Sequence, residues 1–151
     1  MTGQTYVDAT VTDVMNAGVD FAAFAVTGLS DIHVMGLTMN GTNNLRAPVA
    51  AGSVEALGIG YGRFELTGTM DIYYESSAAL AAYLAGTAVS LTLTLGSITG
   101  KKYTFSVPKI KFETGEAPVG GNDEDYMFTV AWRGLRDSGI DGTLEITRAV
   151  A

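Results

Sequence analysis

The sequence predicts a mainly β domain: an antiparallel β-sandwich or β-barrel with one short α-helix packed on the sheet. Three observations carry that prediction. From residue 64 onward the apolar residues recur with period two rather than 3.6. The turn-forming stretches GSITG, GGNDED and SGIDG separate the alternating runs. Only residues 76–86 combine a capping serine, a helical apolar stripe and a stop glycine.

Composition sets the bounds. A chain of 151 residues is the size of one ordinary domain, and folding at that length buries roughly 70% of the unfolded surface. An apolar fraction of 47% with 19 glycines suits a compact, turn-rich fold. The absence of cysteine excludes disulfide scaffolds, thiolate metal sites and cysteine nucleophiles. His33 is the only histidine, so no multi-histidine metal cage forms within one chain. Apolar runs fall far short of the ~20 residues that span a bilayer. The start, MTGQTYVDAT, has neither the basic end nor the apolar core of a signal peptide. The expectation is a soluble protein made in a cytoplasm, with no membrane partner.

The net charge of −7 is unevenly spread. Residues 1–45 hold Asp8, Asp13, Asp20 and Asp31 and no base, the first being Arg46. Duplex affinity comes largely from basic side chains that displace counterions, so this balance argues against gripping phosphates. It suits a wall past which DNA slides without sticking.

In chain order, residues 1–28 read as an extended N-terminal arm, with a short helical turn near Thr12 to Asn16, and residues 29–151 as the β domain. Residues 31–40 read as one strand, with Ile32, Val34, Leu37 and Met39 apolar and a slip at Gly36. Residues 41–62, GTNNLRAPVAAGSVEALGIGYG, show no clear period, and a loop of that length in a compact domain tends to be functional. Next comes a long strand, residues 64–75. Phe64, Leu66, Met70, Ile72 and Tyr74 share one face, and Glu65, Thr67, Thr69, Asp71 and Tyr73 the other. Twelve extended residues reach about 40 Å, roughly twice a common strand. Ser76 or Ser77 caps the helix that follows, Leu80, Tyr83 and Leu84 form its stripe, and Gly86 ends it. So short a helix is marginal alone and must brace the sheet through that stripe.

Val89, Leu91, Leu93 and Leu95 alternate in the next strand, and GSITG turns it back into KKYTFSVPKIKFE. There Tyr103, Phe105 and Val107 have one parity and Ile110 and Phe112 the other, so Pro108 marks a bulge or an edge bend. Tyr126, Phe128, Val130 and Trp132 form a further strand, and Leu144 and Ile146 the last.

Chemical motifs fail on inspection. Asp123, Glu124 and Asp125 lack the alternating register of a calcium loop and read as a solvated turn. GSITGKK has neither the spacing nor the following helix of a phosphate loop. Gly58, Gly60 and Gly62 have no strand before them and no helix after, as a dinucleotide fingerprint requires. His33 has no nucleophile elbow to serve. Asn40-Gly41-Thr42 matches a glycosylation acceptor but reads as a turn. Trp132 suits a core, or less readily an interface anchor. Glu65 and Asp71, six residues apart on one strand face, stand about 20 Å from each other and form an acidic stripe, not a catalytic dyad. No enzyme, metal or cofactor is expected.

The order of elements resembles the tail tube (major tail) proteins of long-tailed bacteriophages. The motifs are an NNLR-like loop at 43–46, the strand GRFELTG at 62–68 and a capped helix ending LAG at 76–86. They continue with Y-x-F-x-x-P at 103–108, a Gly and acidic loop at 120–125, and L-x-I-T-R at 144–148. The match covers roughly residues 30–149. The resemblance implies a structural subunit whose inner sheets join into one barrel, in stacked rings through which the genome passes. Its partners would be itself, the tape-measure protein and the tail terminator, with DNA only in transit. The protein would be assembled in the host cytoplasm and end in the virion tail. A single-domain chain implies six copies per ring; the C-terminal half of a two-domain chain implies three, and both stay open.

On this reading Glu65 and Asp71 are candidates to face the lumen. Asn43, Asn44, Leu45, Arg46, Val54, Leu57 and Tyr61 are candidates for contacts between subunits or rings. Two alternatives share the β architecture. A sandwich binding or adhesin module is disfavoured because its loops would carry few aromatics beyond Tyr61. The tube subunit of a contractile injection machine differs only in its neighbours.

Overall fold

A computed structural model describes residues 19–29, 32–52, 54–74, 77–116 and 121–150. The helical turn expected near Thr12 to Asn16 lies outside the described residues. Among the described residues eight strands and one helix follow in order: β1 (Phe21–Thr27), β2 (Val34–Leu37), β3 (Asn40–Thr42), β4 (Glu65–Tyr73), α1 (Ala78–Ala85), β5 (Val89–Leu95), β6 (Lys101–Glu116), β7 (Met127–Gly134) and β8 (Glu145–Val150). All pairings are antiparallel. The sheet runs β1-β5-β6-β7-β4-β2, with β3 also on β4 and β8 also on β6, and it curls into a half-barrel. The mainly β, antiparallel class expected from the sequence is the class observed.

β6 organises the curl. Its first half pairs with β5 and β8, and its second half with β7. Between the pairs Leu91–Val107 and Val89–Ile110, β5 advances two residues and β6 three. The extra residue is a bulge at Pro108 and Lys109, where the parity of the apolar residues switches. Val107 and Ile110 are therefore both buried. Proline belongs there because it has no N–H to offer a ladder. A second bulge at Glu113 separates the pairs Phe112–Trp132 and Thr114–Ala131.

The alternation expected in the long strand is present. Leu66, Met70 and Ile72 are buried, and opposite them β7 buries Phe128, Val130 and Trp132. The strand is nine residues rather than twelve; Tyr74, just past its end, still donates its amide to the Tyr126 carbonyl at 2.9 Å and packs edge-on against that ring at 4.8 Å. The single strand expected over 31–40 is two, β2 and β3, laid end to end along one edge of β4. Thr38 joins them: its amide donates to the Thr69 carbonyl at 2.9 Å, and its hydroxyl meets that of Thr69 at 2.8 Å. The slip expected at Gly36 is a bulge between Val34 and Gly36.

Two expectations need correction. Residues 21–27 are no arm; they are strand β1, paired along β5. The helix braces the sheet by a different face. Ala79 is its buried residue, with Leu80, Ala82 and Tyr83 half-buried against the core, whereas Leu84 is 74% exposed. Five residues beyond Ala79, Leu84 stands about 140° around the helix and cannot share its contact. Tyr83 does brace, its ring 6.4 Å from that of Phe128 over Gly115. The Ser77 side chain makes no cap hydrogen bond; its carbonyl accepts from Ala81 at 2.8 Å. Gly86 closes the helix in the left-handed conformation that favours glycine.

Candidate assembly site

The segment 43–63 leaves the end of β3, projects from the sheet and returns to β4. It is a flap rather than a shapeless loop. Arg46 and Gly60 exchange both backbone hydrogen bonds, at 2.9 and 2.7 Å, and Leu57 donates to the Pro48 carbonyl at 2.9 Å. Bridges at Arg46–Gly60 and Val49–Ala56 make it an open antiparallel hairpin. Its base is clasped by the two asparagines. Asn44 takes a left-handed φ of 47°, and its side-chain amide donates to the Arg63 carbonyl at 2.9 Å. The Gly62 amide donates to the Asn43 carbonyl at 3.1 Å. Only glycine fits at 62, because a Cβ there would stand 2.8 Å from the Asn44 Cβ.

Along this hairpin the large apolar side chains have no cover. Val54 is 103% exposed, Tyr61 83% and Leu57 70%; Leu45, Val49 and Ile59 are exposed as well. Scattered exposed apolar residues are ordinary, but six on one projection form a patch of the kind that marks an interaction surface. Of the residues picked from the sequence, Asn43 and Asn44 hold the base, Arg46 pairs through its backbone, and Leu45, Val54, Leu57 and Tyr61 lie bare. Sequence reasoning missed Val49 and Ile59, whose apolar character in a polar loop was the available signal.

Glu65 and Asp71 stand on the same face of β4, opposite its buried side. They are not a bare acidic stripe. Arg133 of β7 lies between Glu65, at 3.4 Å, and Glu113 of β6, at 2.8 Å. Asp71 accepts a hydrogen bond from the Thr129 hydroxyl at 2.7 Å. It also lies over Gly36, where a Cβ would approach its Oδ2 to 2.9 Å. This face is therefore polar and partly charge-compensated, a feature only the strand register reveals.

Three sheet edges are open among the described residues. β2 is four residues long and bulged, and β8 carries Glu145 and Arg148, both ordinary ways to blunt an edge. β1, FAAFAVT, has no charge and no proline. His33 is an edge residue whose carbonyl accepts from Tyr73 at 2.9 Å. Trp132 is core, buried against Gly68. In the loop from β7 to β8, Asp137 pairs with Lys109 at 2.7 Å and accepts from the Gly139 amide at 2.7 Å. The lysine first, and that amide second, hold its carboxyl below the ordinary aspartate value of 3.8.

A packed core, an apolar projection and the undefended edge of β1 suit a protein that assembles with other chains. A family model of phage tail tube proteins matches residues 1–134. The chain belongs to that family, and its role is structural, in the tail tube of a bacteriophage virion. The match takes in the N-terminal segment, which the sequence resemblance over 30–149 had left aside. No curated protein matches the chain.

Proposed function

We propose that copies of this chain join side by side into rings and that the rings stack into a tube for genome passage. The observation that carries this reading is the flap, six exposed apolar side chains on a hairpin with its own backbone pairing. A projection of that kind gains by burial only against another molecule. The open edges of β1 and β2 allow neighbouring sheets to continue into one another, and a closed barrel removes such edges. The face of Glu65, Asp71 and Thr69 is the candidate lumen wall. Its carboxylates are tied to Arg133 and Thr129, which leaves the face polar and partly charge-compensated. Head-to-tail contacts that close by rotation give rings. Six single-domain copies, or three two-domain ones, would form each ring, with tape-measure and terminator proteins as later partners. Assembly would take place in the host cytoplasm.

Limited proteolysis before and after assembly tests the flap's part. Cuts within residues 41–62 of the free subunit and protection in the assembled form are expected, because contact orders and covers an exposed hairpin. Equal cutting in both states would remove the flap from the interface.

A further inference from the structure

Asn40-Gly41-Thr42, expected as a turn, is strand β3, and all three residues are exposed. β3 pairs with β4 alone, through Asn40–Thr67, Gly41–Leu66 and Thr42–Glu65. The register fixes where each amide points. Just ahead of β3, Thr38 donates its amide to the Thr69 carbonyl at 2.9 Å, so these two are a hydrogen-bonded pair in the same register. Such pairs alternate along an antiparallel ladder. The amides of Asn40 and Thr42 therefore face β4, and that of Gly41 points away from it, over the open edge. Neither the Gly41 amide nor the Asn40 carboxamide has a hydrogen-bond partner among the described residues.

From this we infer that Asn40 is a site of spontaneous deamidation and backbone isomerisation in the folded subunit, with water as the co-reactant. Asparagine is a thermolabile residue, and a following glycine leaves the approach to its own nitrogen unobstructed. The Gly41 nitrogen, its proton taken by hydroxide, attacks the side-chain Cγ of Asn40. The Cγ–N bond of the carboxamide breaks, and ammonia leaves with a proton from water, which returns the hydroxide. The ring so closed is a five-membered succinimide. Water then opens either of its carbonyls, leaving an aspartate or, where the chain now runs through the side-chain carbon, an isoaspartate. β3 is three residues long and held from one side, so the rotation that brings nitrogen to carbon opens few bonds. The new carboxylate stands on the face of Thr67, which is also that of Glu65 and Asp71. The isoaspartate adds a methylene to the backbone shortly before the clasp of Asn43 and Asn44.

The one Asp-Gly step of the chain, Asp141–Gly142, has the opposite surroundings. Arg136 holds the Asp141 carboxylate, and the Gly142 amide donates to the Asp137 carbonyl at 3.3 Å. An ion-paired carboxylate is a poor electrophile and a bonded amide a poor nucleophile, so folding shields that step and leaves Asn40 open.

The test incubates the full chain at mildly alkaline pH and body temperature, folded and in guanidinium chloride. Peptide mass spectrometry reads a gain of about one dalton as NH2 becomes OH, and chromatography separates the isoaspartyl peptides. In the folded chain Asn40 should convert within roughly threefold of its unfolded rate, while folding slows Asp141 by roughly tenfold or more. Asn40 should also convert ahead of Asn43, Asn44 and Asn122. Hydrogen exchange gives a readout independent of the chemistry: the amides of Asn40 and Thr42 should be protected and that of Gly41 should not. Asn40→Gln, whose longer side chain would close a slower six-membered ring, should remove the mass gain and leave the thermal melt unchanged. An Asn40 slowed by folding as much as Asp141, a protected Gly41 amide, or a mass gain that survives Asn40→Gln would overturn the assignment.

Discussion

Trp132 lies against Gly68. The two are cross-strand partners on β7 and β4, and a Cβ at 68 would meet the indole Cζ2 at 2.6 Å and press on the Thr38 carbonyl. The glycine in the middle of the longest-reading strand is thus the seat of the largest core side chain, and also the place where β2 gives way to β3.

Gly68→Ala should therefore destabilise the subunit by about 3 kcal/mol, the upper range for forcing atoms into a packed core. Denaturant unfolding followed by Trp132 fluorescence checks this, since the substitution sits on the reporter. A loss under about 0.5 kcal/mol, the level of an ordinary surface change, would contradict the packing described.

The flap and the core should respond oppositely to truncation. Leu66→Ala removes a buried side chain and should cost about 2–5 kcal/mol. Leu57→Ser or Val54→Ser should move stability by no more than about 0.5 kcal/mol, yet abolish assembly. Paired unfolding and sedimentation measurements separate the two effects.

The clasp at the flap base should act locally. Asn44→Ala loses the bond to Arg63 and puts a less tolerant residue at φ 47°. Hydrogen exchange of the flap amides of Arg46, Leu57 and Gly60 should accelerate roughly tenfold, for a local loss of about 1.4 kcal/mol. Amides of β7 should be unchanged.

Acid should weaken the β7–β8 loop through Asp137. Its folded carboxyl titrates below the ordinary value of 3.8, so the pairing with Lys109 contributes stability above that value. The contribution fades as pH falls through the lower folded value. Thermal melts should show Asp137→Asn less stable than the unsubstituted chain at neutral pH. The gap should narrow below about pH 4. A gap that widens in acid would have the wrong sign.

Much of the fold was legible because burial imposes alternation. Leu66, Met70 and Ile72, and Phe128, Val130 and Trp132, declare their strands, and the parity change between Val107 and Ile110 declares the bulge at Pro108. What escaped lacks such a constraint. β1 buries Val26 as its one core residue, so FAAFAVT carries no period. The helical stripe offered Leu80 and Leu84 equally, and only the burial of Ala79 and the packing of Tyr83 on Phe128 leave Leu84 outside the contact. The pairing of Arg133 with Glu65 and Glu113 needed the register of three strands, which no single stretch contains. The flap could be read as functional from its length, but not as a hairpin, because its pairing is two isolated bridges.

The most direct measurement is electron cryomicroscopy of the concentrated, purified chain. Hollow tubes of stacked rings are expected, with the Glu65, Asp71 and Thr69 face toward the bore and the flap buried between copies. A species that stays monomeric at high concentration, or tubes with that face on the outside and the flap bare, would contradict the proposed assembly.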